Sequence, residues 1–185
     1  NTAATKRKVS FASPYPGKII PVDLNEFHGS FICQKDAFLC AAKGVSISIE
    51  FSKKLGRGFF GGEGFIMEKI EGDGMSFLHA SGTVVKKELK AGEILKVDTG
   101  CIVGFSTSVN YDIEFVGGIR NTICGGEGVF FATLTGPGTV AIQSLPFSRL
   151  ADRILAHAPS QGGKQKGEGS ILGGLGDLLD GDNRF

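Results

Sequence analysis

The chain repeats itself at a fixed spacing. Gly61-Gly62-Glu63-Gly64 returns 64 residues later as Gly125-Gly126-Glu127-Gly128. The same spacing carries Ile49-Glu50-Phe51 onto Ile113-Glu114-Phe115 and Gly72-Asp73-Gly74 onto Gly136-Pro137-Gly138. One of the three matches lies in a segment that is not glycine-rich. Three matches at one spacing predict a tandem repeat, and a repeat constrains the fold more than any local propensity. Further upstream, the stretch from Gly17 to Leu24 resembles that from Gly82 to Leu89 at a spacing of 65, so one residue has been gained or lost between the registers. Val9-Ser10-Phe11 echoes Met75-Ser76-Phe77. On this reading the chain opens near the end of a repeat whose beginning is not present.

The repeat is written in short apolar runs between turns. Ser30–Cys33, Asp36–Ala41, Phe65–Ile70 and Met75–His79 are predicted strands, the last three each with a counterpart one repeat later. Val45–Phe51 alternates apolar and polar residues, the period of a half-buried strand. Gly72-Asp73-Gly74 predicts a tight turn. The stretch from Ala91 to Gly100 has the rhythm of a corner in a β-helix or jelly roll. Turn residues arrive every eight to twelve residues or so with no helical period between them, which predicts an all-β sandwich or barrel. The repeated β modules are expected over residues 1–146. Leu150, Ala151, Ile154, Leu155 and Ala158 then fall on one helical face, so a short helix is expected over 147–158, capped by Ser148, stopped by Pro159 and packed on the β modules. Residues 159–185 read as a flexible linker followed by an apolar glycine-rich tail, either loosely ordered or docking on a neighbouring subunit.

Composition narrows the function. Lys+Arg is 20 and Asp+Glu is 19, a formal net charge of +1, so no bulk charge draws the chain to nucleic acid. The chain has 15 Phe and only 2 Tyr, which predicts aromatics used as core rather than as stacking platforms for bases. The 4 Cys face Val97, Ala37, Phe60 and Gly104 in the other register, as small buried thiols would. A reducing compartment is therefore expected, cytoplasmic or at the periphery of a membrane. No apolar run approaches the ~20 residues of a membrane span.

A metal site needs converging ligands, and the 3 His lie in separate segments, so no metal or other cofactor is expected. The repeated carboxylates Glu50 with Glu114 and Glu63 with Glu127 occupy equivalent positions. Equivalent environments do not separate two pKa values, so no acid–base pair and no enzyme activity is predicted. One loop remains as a candidate binding site. Arg57, Gly58, Gly61, Gly62, Glu63 and Gly64, with Lys53 and Lys54 alongside, could form a backbone nest for an anion or other small ligand. The plain alternative is a glycine-rich β-turn.

Lys6-Arg7-Lys8-Val9, Pro14-Tyr15-Pro16-Gly17-Lys18-Ile19-Ile20-Pro21, Gly61-Gly62-Glu63-Gly64-Phe65 and the ending Asp180-Gly181-Asp182-Asn183-Arg184-Phe185 together resemble a widespread bacterial family of unknown function. That family includes the fungal proteins named for altered inheritance of mitochondria. The resemblance covers essentially the whole chain. It implies a fold similar to the tryptophan RNA-binding attenuation protein, with double-stranded β-helix-like modules repeated around a pseudo-symmetry axis. It also implies a further N-terminal segment, and, from the fungal relatives, association with the mitochondrial inner membrane. It supplies no catalytic residues. The leading expectation is a non-enzymatic assembly or scaffold protein that forms homo-oligomers, with a membrane surface or membrane protein as a further partner. A small-ligand or anion-binding module stands second, and an RNA-binding regulator, by fold analogy alone, third.

Overall fold

The computed structural model describes residues 2, 4–53, 65–116 and 129–157 of the chain. The described residues form twelve strands: β1 (Lys18–Asp23), β2 (Ser30–Gln34), β3 (Phe38–Ala41), β4 (Ser46–Lys53), β5 (Phe65–Glu71), β6 (Met75–Ala80), β7 (Val84–Leu89), β8 (Ile94–Asp98), β9 (Ile102–Ser106), β10 (Asn110–Val116), β11 (Val129–Thr135) and β12 (Gly138–Gln143). One helix, α1 (Phe147–His157), follows. The molecule is therefore all-β with a short C-terminal helix, as the turn spacing predicts. The expected strand over Asp36–Ala41 divides into a 3-10 turn at Lys35–Ala37 and β3.

The repeat is visible strand by strand. In the first repeat β1, β6 and β3 form one sheet, and β4, β5 and β2 lie together. In the second, β7, β12 and β9 lie together as β1, β6 and β3 do, and β10, β11 and β8 as β4, β5 and β2 do. Even the registers coincide. Ile19 faces His79 as Val84 faces Gln143, and Ser30 faces Glu71 as Ile94 faces Thr135. The β3–β6 and β9–β12 ladders both slip, at corresponding places. Register follows which face is buried, so a repeated apolar pattern is enough to reproduce it.

The two repeats join through a single ladder. β2 of the first pairs antiparallel with β9 of the second, with Phe31 opposite Ser106, Ile32 opposite Phe105 and Cys33 opposite Gly104. This merges two half-sheets into a six-stranded sheet ordered β4-β5-β2-β9-β12-β7. Apolar residues lie on both of its faces, because alternate residues of a central strand point to opposite sides. Ile32, Phe65, Met67, Ile102 and Phe105 pack with Ile113, Ala132 and Leu134 of the β10-β11-β8 sheet. Phe31, Cys33, Ile70, Val103 and Ala141 pack with Ile20, Val22 and Leu78 of the β1-β6-β3 sheet. Burying side chains of this size contributes about 1.5–3 kcal/mol each.

The chain divides into two units, residues 1–151 and residues 152–185. The first turn of α1 is held by two contacts. Phe147 stacks on Tyr15 with ring centroids 4.7 Å apart, and Arg149 pairs with Asp98. The helix begins at Phe147, one residue ahead of the expected cap at Ser148. Ile154 and Leu155, expected on a packed face, are exposed. The described part of the second unit is the end of α1, where His157 Nδ1 lies 2.8 Å from the Arg153 carbonyl. None of the 159–185 segment lies within the described residues.

Candidate functional site

The glycine-rich loop chosen from the sequence, Arg57, Gly58, Gly61, Gly62, Glu63 and Gly64, lies outside the described residues. Of the repeated carboxylates, Glu50 and Glu114 are exposed, and Glu114 reaches Lys96 at 3.9 Å. Among the described residues no three His, Cys, Asp or Glu side chains converge as metal ligands would. No helix among them is long and apolar enough to cross a membrane.

The structure instead draws attention to the joint between repeats and to its unmatched halves. At the joint, Gly104 allows a close backbone approach. A Cβ there would lie 2.6 Å from the Ile32 carbonyl oxygen and 2.6 Å from the Phe31 ring, so only glycine fits. The strands that correspond to β2 and β9 are β8 and β3. Each ends its sheet among the described residues. A sheet edge presents unpaired N–H and C=O groups, and proteins normally guard such edges with charge or proline. β1 carries Lys18 and Pro21, β7 Lys86, Lys87 and Glu88, β10 Asp112 and Glu114, and β8 Lys96. β3 reads Phe38-Leu39-Cys40-Ala41 and carries no guard.

The surfaces beside β3 are also apolar. Ile49 on β4 is 68% exposed, whereas its counterpart Ile113 is 6% exposed. The alternation in Val45–Phe51 predicts a buried face for Ile47 and Ile49. The structure leaves both exposed: Val45 packs against the core beneath the β1-β6-β3 sheet, and Ile47 and Ile49 do not. Beside Ile49 stands Glu68, where the second repeat has the buried Ala132. Partial burial pushes the Glu68 carboxyl up; nearby Lys35 opposes this and Asp36 adds to it. On the outer face of β1-β6-β3, Ile19 is exposed and Leu39 and Phe77 are half-buried, while their counterparts Val84, Val103 and Ala141 pack into the second core. Cys33 is buried as the repeat comparison predicts, and burial with a push from Glu68 raises its thiol far above the ordinary range. Cys40 and Cys101 are half-buried, and burial raises the Cys101 thiol as well.

A second constellation was not selected from the sequence. His79 on β6 is 2% exposed, and neither ring nitrogen has a hydrogen-bond partner among the described residues. Tyr15 meets it edge to face, with centroids 4.3 Å apart. Burial lowers the pKa of His79, and the Tyr15 backbone works weakly against that. Its counterpart Gln143 is fully used. Oε1 accepts the Ser81 N–H at 2.9 Å, and Nε2 donates to the Gly100 carbonyl at 3.0 Å. The residue corresponding to Ser81 is Pro16, which has no N–H to give. The signal was present in the sequence as His79 opposite Gln143, but its meaning depends on burial.

Comparison with known proteins places this architecture. A family model described as mitochondrial biogenesis AIM24 matches residues 1–145. An uncharacterized protein of Streptococcus pyogenes serotype M6 is 30% identical over 155 residues, covering 83% of this chain and 60% of the relative. A crystal structure of a Streptococcus pyogenes protein superposes with a TM-score of 0.65 at 27% identity, covering 80% of this chain and 63% of that one. The chain thus spans about three-fifths of the length of the relatives it matches.

Proposed function

Since the chain belongs to the AIM24 family, whose uncharacterized bacterial relative supplies no reaction, we propose from its surface that it is a non-enzymatic assembly protein. It builds homo-oligomers by repeating between chains the joint it makes within one. The observation that carries this reading is the unguarded edge of β3, flanked by apolar surface that the second repeat buries. The β2–β9 ladder shows how such an edge is filled. Carried over to a second copy, its register sets Leu95 opposite Ala42, Lys96 opposite Ala41 and Val97 opposite Cys40.

Two substitutions relative to the internal joint shape this contact. Cys40 replaces the close-fitting Gly104, and Leu95, smaller than Phe31, leaves room for it. Lys96 replaces Ile32 and must turn toward Glu114, so the β8 half is the weaker one. An interface that uses different patches on the two partners closes into a ring or propagates, depending on its rotation. A membrane-bound or membrane-protein partner would then meet the assembly rather than a single chain.

The test is a Val97→Cys variant of the full-length protein under mild oxidation. The expected result is a disulfide between chains, from the introduced thiol to Cys40, lost when Cys40→Ser is added. Native mass spectrometry of the untagged protein should show one defined oligomer. A monomer with no crosslink between chains overturns the homo-oligomer reading, and means that other parts of the same chain fill the β3 edge. An oligomer without the Cys40 crosslink keeps assembly and discards this joint.

A further inference from the structure

The orphaned imidazole of His79 lies where three parts of the chain meet. Beneath it is β6. Over it passes the segment Ser13–Gly17, in which Ser13 Oγ donates to the Tyr15 carbonyl at 2.5 Å. The segment is tied down where Ser81 Oγ donates to the Pro16 carbonyl at 2.9 Å. On the far side of Tyr15 lies Phe147, the first residue of α1. The fit is tight: a Cβ on Gly17 would lie 2.4 Å from His79 Nε2 and 2.3 Å from the Ala80 carbonyl oxygen.

We propose that His79 is a proton-sensitive latch. Neutral, it sits under the Ser13–Gly17 strap. Protonated, it expels the strap and releases the first turn of α1, which Tyr15 holds.

The argument is one of unmet charge. An imidazolium carries two N–H donors, and a buried one must give both to acceptors. At most one is in place here, the Tyr15 carbonyl, and the other ring nitrogen has no acceptor among the described residues. The groups facing the site are few. Tyr15 comes from the strap, with its phenol raised by burial and then by Asp36. From β1 comes the uncharged Ile19, level with His79, while Lys18 lies level with Ala80 on the other side of the strand. From α1 comes Arg149, committed to Asp98. The carboxylate of Asp36 acts on the Tyr15 phenol rather than on His79. The ring therefore charges only by reaching water, and the strap is what separates it from water. The second repeat has no such device, because Gln143 does not titrate and its amide is satisfied. Opening uncovers His79 beside the already exposed Ile19, on the sheet that carries the unguarded β3 edge, so acid would alter the face offered to partners.

Amide hydrogen exchange on the full-length protein, corrected for intrinsic rates, tests this between pH 7.5 and 5.5. Protection in residues 13–18 and in the first turn of α1 should fall roughly tenfold per unit once the ring begins to charge, while the β2–β9 ladder keeps its protection. His79→Gln should hold strap protection constant across the range. No loss in the wild type, or the same loss in the variant, overturns the latch. Should the variant not fold, the NMR titration of the wild-type His79 ring replaces it. A midpoint that tracks strap exchange supports the latch, and one that does not overturns it.

Discussion

The two repeats share strands, order and register, yet they differ in what they cover. The second repeat buries Ile113, Ala132, Val103 and Ala141, and satisfies Gln143 with two hydrogen bonds. The first sets Ile49, Glu68, Leu39, Phe77 and His79 in those places, and leaves most of them exposed, charged or unpartnered. One template therefore produces a closed half and an open half. The difference is not one of strand propensity, because both halves form the same ladders. It lies in whether a neighbouring repeat is present to cover each surface.

That contrast can be broken at matched positions. The largest difference should come from Ile113→Ala set against Ile49→Ala. Ile113 is enclosed by Phe65 and Met67 across the core, and truncation of such a residue costs about 2–5 kcal/mol. Ile49 is open, so its truncation should stay within about 0.5 kcal/mol. Urea denaturation of the two variants measures the gap. If Ile49→Ala proves as costly as Ile113→Ala, an unseen neighbour covers the first repeat.

Next in size is Gly104→Cys, which places in the joint the thiol that the first repeat carries at Cys40. With the Ile32 carbonyl in the way, about 1–3 kcal/mol should be lost and the unfolding midpoint should fall. The reverse change, Cys40→Gly, should cost less, since β3 pairs only with β6 among the described residues and no strand crowds its other edge.

Gln143→Leu sharpens the comparison of polar groups. It leaves the Ser81 N–H and the Gly100 carbonyl unpaired, at about 1–3 kcal/mol. The matched change His79→Leu strands no partner. It should be neutral near pH 7 and protective in acid, as parallel melts at two pH values would show.

The pH dependence follows from the same pair. Burial holds the folded-state pKa of His79 below its unfolded value, about 6.5. Above that value both states are neutral, and stability is full. As pH falls through it the unfolded chain takes up the proton first, so stability declines until the folded-state pKa is passed. His79→Gln should remove this part of the acid slope. An unchanged slope would assign it to other groups.

The smallest effect concerns α1. Asp98 caps the 3-10 turn at Thr99–Cys101 by accepting the Gly100 N–H at 2.8 Å, and also pairs with Arg149. Arg149→Ala removes only the half-exposed ion pair, worth about 0–1 kcal/mol. Asp98→Ala removes the cap as well and should cost more. Equal costs would mean that the cap is idle.

How much was legible in advance differs from residue to residue. The spacing between Ile49-Glu50-Phe51 and Ile113-Glu114-Phe115 was enough to anticipate paired modules, since like patterns select like registers. The turn at Gly72-Asp73-Gly74, the strands around it and the helix after Pro146 follow from local chemistry in the same way. The site was less legible. Arg57 to Gly64 was chosen for charge and free backbone donors, and it lies outside the described residues. Lys96 and Pro21 read as edge guards only once the strand order is known.

The sequence by itself determined the all-β class, the duplicated module and the C-terminal helix. Each is encoded in periods and turn residues that act over a few neighbours. Tertiary structure alone decided that β2 joins β9, that β3 is left as an unguarded edge, and that Ile49 and Ile113 meet opposite fates. It alone buried His79 without a partner. These outcomes depend on which surfaces meet across dozens of residues. Two positions with the same local pattern carry no mark of which one a neighbour will cover.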